Sequence, residues 1–441
     1  MSNALTERIA QEHAAAEESL PSGVIARARR RRAIAALLAR GLPTPRDENW
    51  RYANLRPLER ARFVPAPRGA EWSPADLPPG IVGYARYLYV DGVFVPASSA
   101  PLTPRDGVTV RALNAASMPD GASLDDDAEL PADAAFGLLN EAFAVDGAHI
   151  RVAAAGSAAA SELPVGIEVV FVAQAPAQQG ATYPRLRVQA APRAQLRLIE
   201  RHLSLGSDAS FAVGSVDVHV GEGATVDHYR VQQLGARAVW LDTLSACVAR
   251  AGRYRLHGFA LGAQSARSTQ HVRLEGEGAE LTQRTVAIGD RQQVLDSHTV
   301  VEHAAARTRT EQSFRGIAAG RARVAFNGKV IVRPGAHGTD STQSLRGLLA
   351  GPEAEINVRP QLEIYTDDVR CSHGATAGKL DEAMMFYLLS RGLERDTAQR
   401  LLKWAFLEDL VSKVEVVELR RQIERGLAGQ MPEAAALKEM L

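Results

Sequence analysis

The sequence predicts a mainly β protein, with a parallel β-helix core between a helical N-terminal region and a helical C-terminal region. Three observations predict it. Small-residue turns recur through the middle of the chain at a near-constant step, and the residues after each turn alternate in polarity. That alternation gives way to helical spacing before about residue 65 and again after Gly378. The boundaries expected from these changes are 1–135, 136–377 and 378–441.

In chain order, Ala4–Ser19 is rich in Ala and Glu, and Ile25–Leu38 places apolar residues near helical spacing, so two helices are expected. Gly41-Leu42-Pro43 ends the second, because Pro cannot continue the hydrogen-bond ladder. Arg29 to Arg32 precede the apolar run Ala33–Ala39, a faint likeness to a twin-arginine signal. The run is seven residues and ends at Arg40, so an arginine-rich helix face is expected instead. The following stretch, Leu42 to Tyr52, carries Trp50 and Tyr52 behind two prolines and is expected to anchor a connector on the core. Tyr87–Val95 reads as a hairpin turning at Asp91-Gly92, and Leu139–Phe143 as a short helix.

The β-helix rests on the turns. Gly221-Glu222-Gly223-Ala224 recurs as Gly276-Glu277-Gly278-Ala279, and the alanines at 224, 251, 279, 306, 336 and 354 mark steps of 27, 28 and 27 before the spacing loosens. Only small residues suit stacked corners where the backbone turns with φ > 0. A β-sandwich also yields short strands, but not a constant step of this length. After Gly378, Leu380–Ser390 reads as a helix closed by Arg391-Gly392. Asp396-Thr397-Ala398-Gln399 resembles a capping box. Ala398, Leu401, Leu402, Ala405, Phe406 and Leu410 form an apolar stripe behind it, helical character continues through Leu427, and the last dozen residues are expected to fray.

Charge excludes some functions. Fifty-one basic residues balance 51 acidic ones, so no global field draws the chain to nucleic acid or an anionic membrane. No stretch approaches the roughly 18 apolar residues of a membrane span. Cys247 and Cys371 are too far apart for a disulfide framework, which points to a reducing, cytoplasmic setting. Cys247, in an apolar strand, is expected to be a core thiol.

Cys371 and His373 are the Cys/His pair closest in sequence. In a strand, residues i and i+2 share a face about 7 Å apart, so thiolate and imidazole could address one metal. Two ligands do not complete a site, which generally needs four. Asp367-Asp368 beside them would point to opposite faces of a strand, and the histidines at 202, 219, 228, 257, 271, 298 and 303 read individually as strand residues. Gly374–Leu380 falls one residue short of a nucleotide P-loop, with Leu380 where a magnesium-binding hydroxyl must stand. No other nucleophile, zinc or dinucleotide motif is present.

Four stretches together resemble the SufB/SufD family of the SUF iron–sulfur cluster assembly system, on its SufD side. They are Gln361–Gly378, with Cys371-Ser372-His373-Gly374-Ala375; Met385–Gly392; Leu42–Tyr52; and Leu139–Phe143. SufB carries an acidic Glu-His-Glu-Ala-type sequence where this chain has Cys371 to Ala375. The resemblance implies a right-handed β-helix and a scaffold, not an enzyme, in a complex of one SufB, one SufD and two copies of the ATPase SufC. It implies that His373 matches the family's functional histidine and Cys371 its neighbouring cysteine, facing a transient cluster shared with SufB, with no cofactor permanently bound. SufC would dock on the C-terminal helices, for which Phe386, Tyr387, Arg391, Gly392, Leu402 and Phe406 are the candidates. A homodimer of the isolated chain is a further expectation. The alternatives are a stand-alone metal-binding β-helix protein and a β-helix carbohydrate-active enzyme, which would need paired carboxylates on one coil face.

Overall fold

Alternate strands of the chain go to alternate sheets, and each sheet grows by parallel addition along the solenoid axis. In the computed structural model, which describes residues 3–67, 72–102, 107–113, 134–154, 164–206 and 208–431, one sheet has ten strands and the other nine. The ten-stranded sheet begins at the hairpin Ala85–Val90/Val93–Phe94 and ends at Val369–Lys379; the nine-stranded sheet begins at Val108–Ala112 and ends at Glu355–Ile364. Coil stacks on coil for about seven turns, which is the expected parallel β-helix. The tail expected to fray lies, from residue 432 onward, outside the described residues.

The turns set the coil length. Thr225, Arg253, Glu280, Arg309 and Asp340 stand in register, so successive coils take 28, 27, 29 and 31 residues. The step loosens because the turn before Thr339 gains residues. Ala224, Ala279 and Ala336 are fully buried at this corner, whereas Ala251 is exposed and itself takes the positive φ of 51°. Ala354 lies on the opposite edge, between Thr339–Leu349 and Glu355–Ile364, and so belongs to another series. At Gly276 a Cβ would stand 2.0 Å from the Arg250 nitrogen, so only glycine lets these two corners stack.

Helices α1 (Asn3–Ala16), α2 (Arg27–Arg40) and α3 (Ala135–Phe143) cover the outer face of the nine-stranded sheet, against Phe211, Val213, Val239 and Leu241. Trp50 is buried between Phe136 and the Arg267 guanidinium, which lies 4.4 Å from its ring, so the Leu42–Tyr52 stretch does anchor its connector. The arginine run is not a uniformly solvated face. Arg30 is buried, donating to the carbonyls of Ile25, Ala142 and Ala144, and burial pushes its guanidinium down to about 10. The hairpin forms at Asp91-Gly92, both with φ > 0, as its right-handed twist requires.

Helices α4 (Glu382–Ser390), α5 (Arg395–Val411) and α6 (Val417–Gln430) cover the outer face of the opposite sheet, where Tyr229, Phe259, Val286 and Ile317 meet Leu407, Leu410, Leu419 and Ile423. Two expectations about α5 are corrected. It begins at Arg395, with Glu394 as its N-cap, two residues ahead of the proposed cap Asp396, which lies inside the first turn. Of the expected stripe Ala398 and Leu410 are buried; the rest of the buried face is Lys403, Leu407 and Val411, so that from Lys403 onward the sheet covers positions i, i+4, i+7 and i+8, and Ala405 is exposed. Among the described residues no helix is long and apolar enough to cross a membrane.

The solenoid interior is largely Val, Leu and Ala, but a polar file runs through it. Arg230 donates to Glu200 at 2.9 and 2.7 Å and to Asp242 at 2.9 and 2.9 Å, and His228 sits 3.0 Å from Glu200. Ser268 donates to Asp242 at 3.1 Å and Gln270 to Ser268 at 3.0 Å. Despite its burial, Glu200 is held well below the usual carboxylate range by Arg230 and the two histidines beside it. Replacing Arg230 with Met would leave two buried carboxylates facing each other. We expect a loss of about 3–5 kcal/mol, read as a lower urea midpoint; an unchanged midpoint would mean the network is not stabilising the fold.

Candidate functional site

The solenoid ends open. Among the described residues Val369–Lys379 pairs on one side only, with Thr339–Leu349, and Glu355–Ile364 likewise pairs only with Arg323–Val332. In the preceding coil Thr339, Ser341, Gln343 and Leu345 are buried, each at 2% exposure or less. Their register partners Val369, Cys371, His373 and Ala375 are half-buried or exposed, because no further coil of the described residues covers them.

Cys371 and His373 occupy this terminal strand, two residues apart. Cys371 packs against the interior cluster, so His373 shares its inward-facing side, turned toward the open end. Burial, then the Asp340 carboxylate, pushes the Cys371 thiol up, so it stands mainly protonated at neutral pH until a metal or cationic partner draws the proton off. His373 is exposed and makes no hydrogen bond or ion pair among the described residues. Among those residues no group of three or more His, Cys, Asp or Glu is arranged to hold a metal ion.

The remaining candidates singled out by composition and spacing lie elsewhere. Asp367 and Asp368 are on the turn before the terminal strand, not in it, where the Asp368 carbonyl accepts from Gly338 at 2.7 Å. Cys247 is half-exposed on the outer side of its strand rather than in the core, since its neighbours Ala246 and Val248 take the inward positions; burial and Glu275 push its thiol up to about 11. Gly374 to Lys379 is continuous strand, a geometry that cannot cradle a phosphate as a loop does.

α4 begins two residues beyond the terminal strand, capped by Asp381, whose carboxylate accepts from Ala383 at 2.8 Å and Met384 at 3.1 Å. Met385 alone is buried and holds the helix to the body. Phe386 is 74% exposed and Tyr387 and Met384 are more than half exposed, forming an apolar patch. Arg391 lies over the Tyr387 ring at 5.2 Å, and Gly392, at φ 87°, closes the helix. Leu402 and Phe406 are half-buried on α5, Phe406 against the C-terminal core, so they stand apart from the exposed patch in environment.

One set of residues carried no sequence signal when taken singly. Gln283, Gln312 and Gln343 stand in register with one another and with His373. Their side chains form a ladder inside the solenoid: Gln343 donates to Gln312 at 2.6 Å, Gln312 to Gln283 at 2.7 Å, and Gln283 to Gln270 at 2.7 Å. Their separations match the coil length, a pattern visible only once the register is known.

Residues 171–406 match the family model described as the SUF system FeS cluster assembly, SufBD core domain. The chain is 30% identical over 406 residues to the iron–sulfur cluster assembly protein SufD of Escherichia coli (strain K12), covering 90% of this chain and 92% of that one. It is 26% identical over 398 residues to an iron–sulfur cluster assembly SufBD family protein of Synechocystis, covering 87% and 86% of the two chains. A SufBD family protein of Mycobacterium tuberculosis is 25% identical over 276 residues, or 61% of this chain and 68% of its own length. With its parallel solenoid, its terminal Cys-x-His strand and these relatives, the chain belongs to the SufBD family of the SUF iron–sulfur cluster assembly system.

Proposed function

We propose that this chain is a non-enzymatic scaffold that pairs with SufB through its terminal coil. A transient iron–sulfur cluster would be built between the two, with SufC docking on the C-terminal helices. The observation that carries this reading is the uncovered terminal coil. Two parallel sheets end in unpaired edges, which proteins ordinarily blunt or cover. The interior columns, such as Phe314–Leu345–Ala375, end there without a lid. A second solenoid docked end-on would continue both.

Cys371 and His373 supply half of a tetrahedral ligand set, and the partner's side chains would supply the rest. His373, exposed, is the readier ligand, while Cys371 binds only after losing its proton. The apolar patch on α4 follows the terminal strand after two residues, so a partner seated on Phe386 and Tyr387 would move the strand that holds His373. SufC's ATP-driven closure would reach the site by that route, with the helical unit as the two-state element. The scaffold needs no resident cofactor, and it would work in the cytoplasm, where both free thiols stay reduced. In isolation the same open end would pair with a second copy.

Co-purification from the native cell tests the arrangement. Ala375→Glu, a charge at the mouth of an apolar column, is expected to lose SufB and retain SufC. Phe386→Asp is expected to lose SufC and retain SufB, each by at least about tenfold in recovered partner, since a charge in an apolar contact costs several kcal/mol. Both partners retained by both variants would overturn the proposal.

A further inference from the structure

We propose that Gln343 is a positioning residue for His373: its buried Oε1, unpaired in the structure, takes one ring N–H when the exposed imidazole turns in toward it, and so fixes which imidazole nitrogen is presented to the metal. The inference rests on the reading of His373 as a ligand and deepens it.

The direction of the glutamine ladder is set by a backbone group. The Gly328 carbonyl, 3.0 Å from the Gln343 amide, can only accept, so the atom facing it is the Gln343 NH2 group. That group's second proton goes to Gln312, whose facing atom is therefore Oε1. The same logic then runs down the ladder: Gln312 donates to Gln283, and Gln283 to Gln270 and to the Thr299 hydroxyl at 3.1 Å. Every amide thus donates toward the body of the solenoid and presents its oxygen toward the open end. Gly328 leaves the room for this, since a Cβ there would come within 2.9 Å of the Gln343 nitrogen.

In Gln283 and Gln312 the Oε1 is satisfied by the amide of the following coil. Gln343 is the last glutamine. It is 2% exposed, its Oε1 is buried, and it accepts from no described residue. The residue in register on the next strand is His373, on the same face. A buried acceptor left unpaired is costly, and the imidazole is the one donor that the terminal strand offers at that level. Neutral imidazole has one N–H and one lone pair. Spending the N–H on Gln343 leaves the lone pair for a metal, as outer-sphere partners of ligating histidines generally do.

The test uses the full chain with 15N-labelled histidine, at a pH where imidazoles are neutral, with His373→Ala to assign the signal. In the wild type, the His373 nitrogens are expected to report one tautomer dominating by about tenfold, with a ring proton slowed in solvent exchange. In Gln343→Met, which conserves volume, the shifts move toward a mixture and the ring proton is lost to exchange. Gln312→Met breaks the ladder one coil lower and leaves the His373 signal as in wild type, whereas a merely structural role would make the two variants alike. A free-imidazole mixture in the wild type overturns the proposal whether or not any variant folds, as does a Gln343→Met signal identical to wild type. In the assembled SUF complex, Gln343→Met lowers cluster formation roughly tenfold. The two readings fail separately. Full activity in His373→Ala removes the ligand; loss of activity there, with Gln343→Met unchanged in tautomer and activity, removes only the positioning.

Discussion

Replacing His373 with alanine is expected to reduce cluster formation by the reconstituted complex by at least about tenfold, with the fold unaffected. The side chain is exposed, on the last strand, and makes no hydrogen bond among the described residues; its removal costs at most the pairing argued above for the buried Gln343 oxygen, about 1–3 kcal/mol, too little to unfold the chain. Structural loss and functional loss are therefore separable at this position, as they seldom are for a ligand inside a core. Cys371→Ser is the informative partner variant. Its thiol is half-buried, packs on the interior cluster and is pushed up by burial and by Asp340, so serine should cost some packing and a smaller part of the activity. Wild-type cluster formation by His373→Ala, with SufB and SufC both still bound, would sink the role assigned to the histidine. Equal losses in both variants would instead make the thiol a full ligand.

The site was half legible in the sequence, for a reason of geometry. Alternation along one strand puts Cys371 and His373 on the same side, and spacing alone conveys that. What lies beneath them comes from residues 30 positions earlier, and stacking cannot be read until each turn's length is known. Gln283, Gln312 and Gln343 are 29 and 31 residues apart, matching the coils they sit in, but a constant step of 27 or 28 would have missed them. The fold itself was more open to reading, because small residues are forced at tight corners. Even so, Ala251 and Ala306 mark neighbouring turn positions rather than the buried one, where Gly252 and Thr308 stand in register with Ala224. The helices show the same limit. The stripe on α5 was misphased because α4, α6 and the sheet together choose its buried face, and Cys247 was misplaced because half of a strand in a covered sheet still faces outward.

Acid should unfold the protein well above the range where its carboxylates titrate. Burial holds His257 down to about 3, with Arg284 and Arg255 adding to the effect. Burial alone holds His303 down to about 4, between the hydroxyls of Thr308 and Thr310 at 2.8 and 3.0 Å. His228, fully buried, is lowered in the same direction. Each is neutral in the fold and free to protonate near 6.5 once unfolded. The sign follows: the unfolded chain binds more protons below that value, so the stabilisation is complete above about pH 6.5 and is lost as pH falls toward 3–4. Two such histidines give a slope of about 2.7 kcal/mol per pH unit, or roughly 5 kcal/mol between pH 6.5 and 4.5. That is comparable to the whole stability of many domains. Urea midpoints measured from pH 7.5 to 4.5 should fall along this slope, and His257→Gln, which cannot titrate, should flatten it by about half. Stability that stayed level down to pH 5 would mean that these imidazoles reach water, and that the corners and helices around them are looser than their packing implies.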